Sequence, residues 1–281
     1  MGPKKISISK ETLEKLYISE KLNAYQIAGK LNCGSTTIYR KLSEYKIKRR
    51  DNSSCHIRYK RNQFSGDKKE KAYLIGFRLG DLHVRKAIDS PGSKTIRLEA
   101  HTTKLEQIKL VKSLFNKYGH IHSRSISNKT FRILCFLDES FIFLLPKKDS
   151  IEEWIVNDRD LFFSFLAGYV DAEGHFGMDK RWKSGMLKIQ TQDRRIIHSI
   201  QKNLVKFGID CPPIRLSTPA GYTSPSYPDK PNNKDKWEVS IHSARNLEVL
   251  LDNLMQYLRH EKRKSDAMKV LNHIKGGRYV L

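Results

Sequence analysis

Apolar positions along the chain fall into short helical and strand-like periods. Ser9 is placed to cap a helix over Lys10–Leu22, with Leu13, Leu16 and Tyr17 on one face. Asn23 precedes a second helix, Ala24–Leu31. Asn32-Cys33-Gly34 interrupts it, glycine supplying the backbone angles of a tight turn. Ser35 then caps Thr36–Tyr45, and Ile27, Leu31, Ile38 and Leu42 supply a small core. Two short helices around a glycine turn make a helix-turn-helix pattern. Residues 48–70 are polar, rich in basic side chains and poor in apolar anchors, as in a linker.

Beyond residue 70 the pattern occurs twice. Leu74-Ile-Gly-Phe-Arg-Leu-Gly-Asp81 aligns with Leu166-Ala-Gly-Tyr-Val-Asp-Ala-Glu173 at an offset of 92 residues. Each copy is followed by two strand-like stretches (82–88 and 95–103; 175–183 and 186–192) and a helix (Lys104–Tyr118; Asp193–Phe207). Gly119 and Gly208 are placed to end those helices. Two more strands (120–126 and 130–137; 213–217 and 236–242) and helical sequence complete each copy. The expected fold class is α+β: tandem pseudo-symmetric αββαββα repeats after a small all-α domain. The expected boundaries are 1–50 for the helix-turn-helix, 51–70 for the basic linker, 71–157 for the first repeat and 158–281 for the second.

Composition narrows the partner. The 281 residues carry a formal net charge of +23, with 38% hydrophobic and 10% aromatic content, enough for packed cores. The three stretches 1–70, 71–157 and 158–281 hold +10, +6 and +7, so the whole molecule is suited to a polyanion, with nucleic acid first. The third helix would present Thr36, Thr37, Tyr39 and Arg40 to base edges, with Arg49 and Arg50 on phosphates. The repeat strands alternate with period two. Their polar faces offer Arg85, Arg97, Glu99, His101, His122, Arg124 and Arg132 in the first copy. Lys188, Gln190, Arg215, Ser217, Glu238, Ser240 and His242 do so in the second. These are residue types that read base edges and phosphates. No apolar run approaches the roughly 18–20 residues of a membrane span, and no signal peptide opens the chain. Four scattered cysteines without a Cys-x-x-Cys pair argue against a structural zinc site or disulfide framework. The expected setting is intracellular, at DNA, in a microbial cytoplasm or an organelle, and not secreted.

Small residues four apart, Gly76/Gly80 and Gly168/Ala172, would let two helix backbones approach closely. The helices would then end side by side at Asp81 and Glu173. Paired carboxylates at negative helix ends are costly without a cation. A hard divalent ion such as Mg²⁺ suits oxygen ligands, and phosphodiester hydrolysis is the chemistry it would serve.

Leu74–Asp81 and Leu166–Gly174 resemble the two signature motifs of the single-chain, two-repeat LAGLIDADG homing endonucleases. The first copy departs from the pattern at Leu82, where a glycine is usual. The resemblance covers residues 71–281 and implies a monomeric saddle that cuts both strands of a long double-stranded DNA target. It implies Asp81 and Glu173 as ligands of Mg²⁺, with Mn²⁺ able to substitute. It also implies one basic residue per half: Lys148, from the candidates Lys147 and Lys148, and Lys262, from Lys262 and Lys264. Gln192 resembles a polar residue of the family's water network, with Thr103 as its first-half counterpart. The alternatives are a non-catalytic DNA-binding regulator and a maturase whose partner is its own intron RNA.

Overall fold

The computed structural model describes residues 7–49, 59–87, 94–127, 129–145, 149–179, 184–225 and 229–276. The chain divides into two units, 1–58 and 59–281. In the first, α1 (Lys10–Glu14) starts at Ser9, whose side chain accepts from the Thr12 amide, and passes into a π-helical turn, Lys15–Ser19. The expected helix to Leu22 therefore stops early, and Lys21 takes a positive φ of 55°. Asn23 and Gln26 form a reciprocal capping box at α2 (Ala24–Lys30), each side chain bonding the other's backbone N–H. Asn32, at φ 49°, supplies the left-handed turn residue assigned to Gly34. Gly34 instead sits at the N-cap of α3 (Ser35–Glu44), so Ser35 is the first helical residue and not the cap. Leu13, Tyr17, Ile27, Ile38, Leu42 and Ile47 are buried in a core of their own.

In the second unit, residues 59–67 are not a free tether. Asn62 donates its amide to the Tyr118 carbonyl and Phe64 packs against Tyr118, Phe141 and Phe143. The anchor is a lone Phe in polar sequence, which periodicity does not detect. Next come α4 (Lys68–Asp81), β1 (His83–Lys86), β2 (Thr95–Thr102), α5 (Leu105–Phe115), β3 (Ile121–Ser127) and β4 (Thr130–Asp138). A 3₁₀ turn, Glu139–Leu144, and the short α6 (Glu153–Val156) replace the final helix expected of the first copy. Then follow α7 (Arg159–Glu173), β5 (Gly174–Met178), β6 (Gly185–Thr191), α8 (Arg194–Lys206), β7 (Arg215–Thr218), β8 (Lys236–Ile241), α9 (Ala244–Leu254) and α10 (Glu261–Gly276). The strands form two antiparallel sheets of matching order, β1-β2-β4-β3 and β5-β6-β8-β7. The fold is mixed α+β. No described helix is long and apolar enough to cross a membrane.

One core joins both sheets to α4 and α7. Asp67 and Asp158 cap these helices, accepting from the Glu70 and Leu161 amides. A Cβ on Gly76 would strike the Phe165 carbonyl oxygen, and one on Gly168 the Tyr73 carbonyl oxygen. The two backbones therefore touch directly. Gly208, at φ 85°, ends α8 as expected. Gly119 is required for another reason: a Cβ there would lie 2.6 Å from the Phe136 carbonyl of β4.

Gly168→Leu should cost about 3 kcal/mol by overpacking, because a backbone carbonyl cannot yield. Gly29, exposed in α2 with nothing within 4 Å of a would-be Cβ, is the contrast. Gly29→Ala should stabilise the first unit by about 0.5–1 kcal/mol through helix propensity. Urea titrations of both variants read these opposite signs.

Candidate functional site

Asp81 and Glu173 are the last residues of α4 and α7. The small residues bring them together: a Cβ on Gly80 would overlap Ala172 and lie 3.6 Å from Glu173 Oε1. The helix ends are stopped differently. Gly174 closes α7 with its N–H on the Val170 carbonyl, and a Cβ there would be 2.6 Å from Val170 Cγ1. At the first copy's Leu82, the buried Arg78 performs the closure, donating to the Leu82 carbonyl at 2.7 Å and the Leu144 carbonyl at 3.0 Å.

A cleft of about 310 Å³ opens beside Asp81, lined also by Thr103, Lys104, Gln107, Asp171, His260, Lys262 and Arg263. Gln107 of α5 donates to Asp81 Oδ2 at 2.6 Å. Burial pushes the Asp81 carboxyl up to about 6, against the Gln107 hydrogen bond and the charges of Arg263 and Lys104. Asp81 nonetheless remains open to solvent at the cleft. Asp171 is fully enclosed. Its Oδ2 accepts from Tyr73 Oη at 2.6 Å and from the amides of Arg259 and His260 at 2.8 and 3.1 Å, while Oδ1 has no partner. It thereby ties α7 to the segment that begins α10, the helix carrying Lys262 and Arg263 into the cleft. Burial and then Arg263 push the His260 imidazole down, favouring its neutral form.

Among the described residues, no group of three or more His, Cys, Asp or Glu side chains gathers at metal-binding spacing. Asp81 and Glu173 alone cannot enclose an ion. Their hard oxygens, with Asp81 open to solvent at the cleft, fit a divalent ion that draws its remaining ligands from water and phosphate.

The sheets' outer faces carry the other candidates. Arg97, Glu99 and His101 share a face with Arg132, and His122 and Arg124 of β3 lie beside them. Leu134 and Phe136 also face outward, an apolar pair that the all-apolar run of β4 concealed. Arg85 of β1 pairs with Arg97. In the second sheet Lys188, Gln190 and Ser240 are half-buried, Arg215 is exposed, and Ser217 accepts from Gln190. Glu238 is buried beneath Arg215, Lys188 and Gln190, so it is not a free base-reading group. His242 lies past the end of β8.

Lys262 lines the cleft and pairs with Asp266 at 2.5 Å. Lys147, Lys148 and Arg50 fall outside the described residues. Gln192 sits exposed on the bend after β6 and is not part of this cleft, whereas its counterpart Thr103 is. In the first unit Thr36, Tyr39, Arg40 and Arg49 are exposed and Thr37 is half-buried. Arg49 stacks on the Tyr39 ring at 5.1 Å and donates to the Tyr39 carbonyl.

Residues 160–255 match the family model of a LAGLIDADG-like domain. The matched span holds α7 with Glu173 and most of the second sheet's half. No curated protein sequence matches the chain. Among solved structures, the chain is similar to the homing endonuclease I-WcaI bound to its DNA recognition sequence. That likeness has a TM-score of 0.48 and 19% identity, covering 72% of this chain and 86% of that one. It is similar to I-DmoI in complex with DNA and Ca at TM-score 0.47 and 14% identity, covering 72% and 98%. It is similar to the N-terminal LAGLIDADG domain of DUF199/WhiA at 0.44 and 18%, covering 69% and 86%.

Sequence reading passed over Gln107, Asp171, His260 and Arg263. Asp171 stood inside the quoted motif, and an acid on an otherwise apolar helix was its signal. The others reach the cleft only through tertiary packing.

Asp171→Ala would strand the Tyr73 hydroxyl and two amides, and should cost about 3 kcal/mol. Asp171→Asn keeps an acceptor and should cost less than half of that, by thermal unfolding of both. Glu99 offers a pH test. Burial raises its carboxyl, but Arg132, His101 and Arg97 overcome that and hold it at about 2. A depressed folded value means its stabilisation is complete above the ordinary 4.5 and is lost as pH falls towards 2. Glu99→Gln should flatten the stability curve in that window, read by urea titration at stepped pH.

Proposed function

We propose that this protein is a site-specific double-strand DNA endonuclease of the two-repeat LAGLIDADG type, with its first unit acting as an accessory helix-turn-helix. The carrying observation is the pair of carboxylates, Asp81 and Glu173, at the touching ends of α4 and α7. Repetition of strand order in residues 71–157 and 158–281, with Asp67 and Asp158 capping α4 and α7, supports a duplicated origin and a monomer. The DNA-bound states named for I-WcaI and I-DmoI motivate duplex DNA as partner, and the Ca of I-DmoI motivates a divalent ion. On this reading the protein works inside the cell, at DNA.

In this mechanism the outer sheet faces place the duplex through phosphate and base contacts. Gln107 orients the Asp81 carboxylate, and Gly80 lets Glu173 stand beside it. Lys104, Lys262 and Arg263 bring positive charge to the phosphate and the attacking water. Asp171 holds the segment that delivers two of them. A bound Mg²⁺ or Mn²⁺ would supply positive charge against the scissile phosphate.

Gel shift and plasmid cleavage on one preparation test this reading. Asp81→Asn and Glu173→Gln should bind target DNA as wild type does and lose at least about a hundredfold in cleavage, the scale of losing one transition-state electrostatic contact. Replacing Mg²⁺ with Ca²⁺ should permit binding and suppress cutting. Arg40→Ala and Arg49→Ala should each weaken binding and lower the salt slope by about 1. Tight binding to one DNA site without cutting in Mg²⁺ or Mn²⁺ would make the protein a regulator. Stronger retention of intron RNA than of duplex DNA would make it a maturase.

A further inference from the structure

Each sheet places one carboxylate inside its basic outer face. On β2, Glu99 accepts from Arg97 Nη2 at 2.6 Å, Arg132 Nε at 2.5 Å and His101 Nε2 at 3.2 Å. On β8, Glu238 accepts from Arg215 Nη2 at 2.5 Å and Nε at 3.1 Å, from Lys188 Nζ at 2.8 Å and from Gln190 Nε2 at 2.6 Å. The acids lie deepest: the Glu99 and Glu238 side chains are 16% and 2% exposed, against 55% for His101 and 69% for Arg215. Glu238 lies under its donors, while Glu99 lies level with Arg97 and Arg132, at 19% and 26% exposed, and beneath His101.

The bonding also restricts what the donors can read. Gln190 spends its amide nitrogen on Glu238 and on Ser217 Oγ, both at 2.6 Å. An amide has two N–H groups, so only its carbonyl oxygen remains for a base. Gln190 is thereby an acceptor, suited to the amino group of cytosine or adenine and not to the bidentate adenine contact. Arg215 has Nε and Nη2 turned to Glu238, which leaves the other side of its guanidinium to face outward.

Resting on the endonuclease reading, we propose that Glu99 and Glu238 are specificity-determining positioning residues, one for each half of the DNA site. Each acid orders its cationic and amide neighbours before DNA arrives, so that the ordering entropy is met in the free protein. Without the acid, long basic side chains are free to follow phosphates of any sequence. The two acids also offset local positive charge, which lowers non-specific affinity. Both carboxyls stay ionised across the physiological range, since their donors overcome the effect of burial.

The test uses the full chain with Ca²⁺ and a randomised duplex library, followed by sequencing of the bound fraction. Affinity for a non-target duplex and thermal unfolding are measured beside it. Glu99→Gln and Glu238→Gln should each lose about tenfold in base discrimination, the scale of one mismatched base pair. The loss should fall in one half of the bound sequence, and in opposite halves for the two variants. Non-target affinity should rise in both. Arg215→Ala, altered at an exposed position, guards against a Glu238 variant that fails to fold. It should lose discrimination in the Glu238 half while its non-target affinity falls. Base preferences left intact, or lost equally in both halves, would overturn the positioning role. A wild-type selection that enriches no sequence would instead overturn the site-specific DNA reading beneath it.

Discussion

Two helix backbones in direct contact hold the second unit together. Gly76 and Gly168 each lie against the main chain of the partner helix, where a Cβ would strike a carbonyl oxygen. This crossing does three things at once. It fuses two sheet-and-helix halves into one core. It brings the C-terminal ends of α4 and α7 side by side, so that Asp81 and Glu173 become neighbours. It also leaves no room between the two backbones for a side chain, so the crossing tolerates only small residues.

The charge layout follows from that geometry. At the crossing's end Asp81 stays open to solvent, its carboxyl pushed up by the residues around it and steadied by Gln107. On the sheets the acids are in the opposite condition, saturated with donors and held ionised. The first kind gains from a further cation. The second kind has its cations already and can only arrange them. A net charge of +23 thus conceals a division of labour among a few carboxylates.

The halves share an element order without being chemically equal. Asp171 has Leu79 as its counterpart at the 92-residue offset, so only α7 ties down the start of a helix through a buried acid. Arg78 stands where the second copy has Val170, and closes a helix end that lacks glycine. Lys262 and Arg263, late in the second half, line the cleft beside the first half's acid. The surroundings of the two acids therefore differ, although the acids themselves recur in register.

Much of this was legible in residue order because it is carried by local rules. Strand alternation places Ile96, Leu98 and Ala100 inward and Arg97, Glu99 and His101 outward, whatever the sheet packs against. The caps at Ser9 and Asn23, and small residues four apart, are likewise properties of a short segment. The repeated motif marked Asp81 and Glu173 because helix ends and spacing are countable along a chain. What residue order could not decide is which side chains from distant segments meet. Phe64 is one apolar residue in a polar stretch, and only the aromatic group of Tyr118, Phe141 and Phe143 makes it an anchor. Glu238 and Arg215 alternate like any exposed strand residues, yet one is buried under the other because β7 pairs with β8 in that register. Gln107, Asp171 and Arg263 reach one cleft from three helices separated by most of the unit's length. Periodicity assigns a residue to a face, and tertiary packing alone decides what stands opposite that face and so what charge each group can hold.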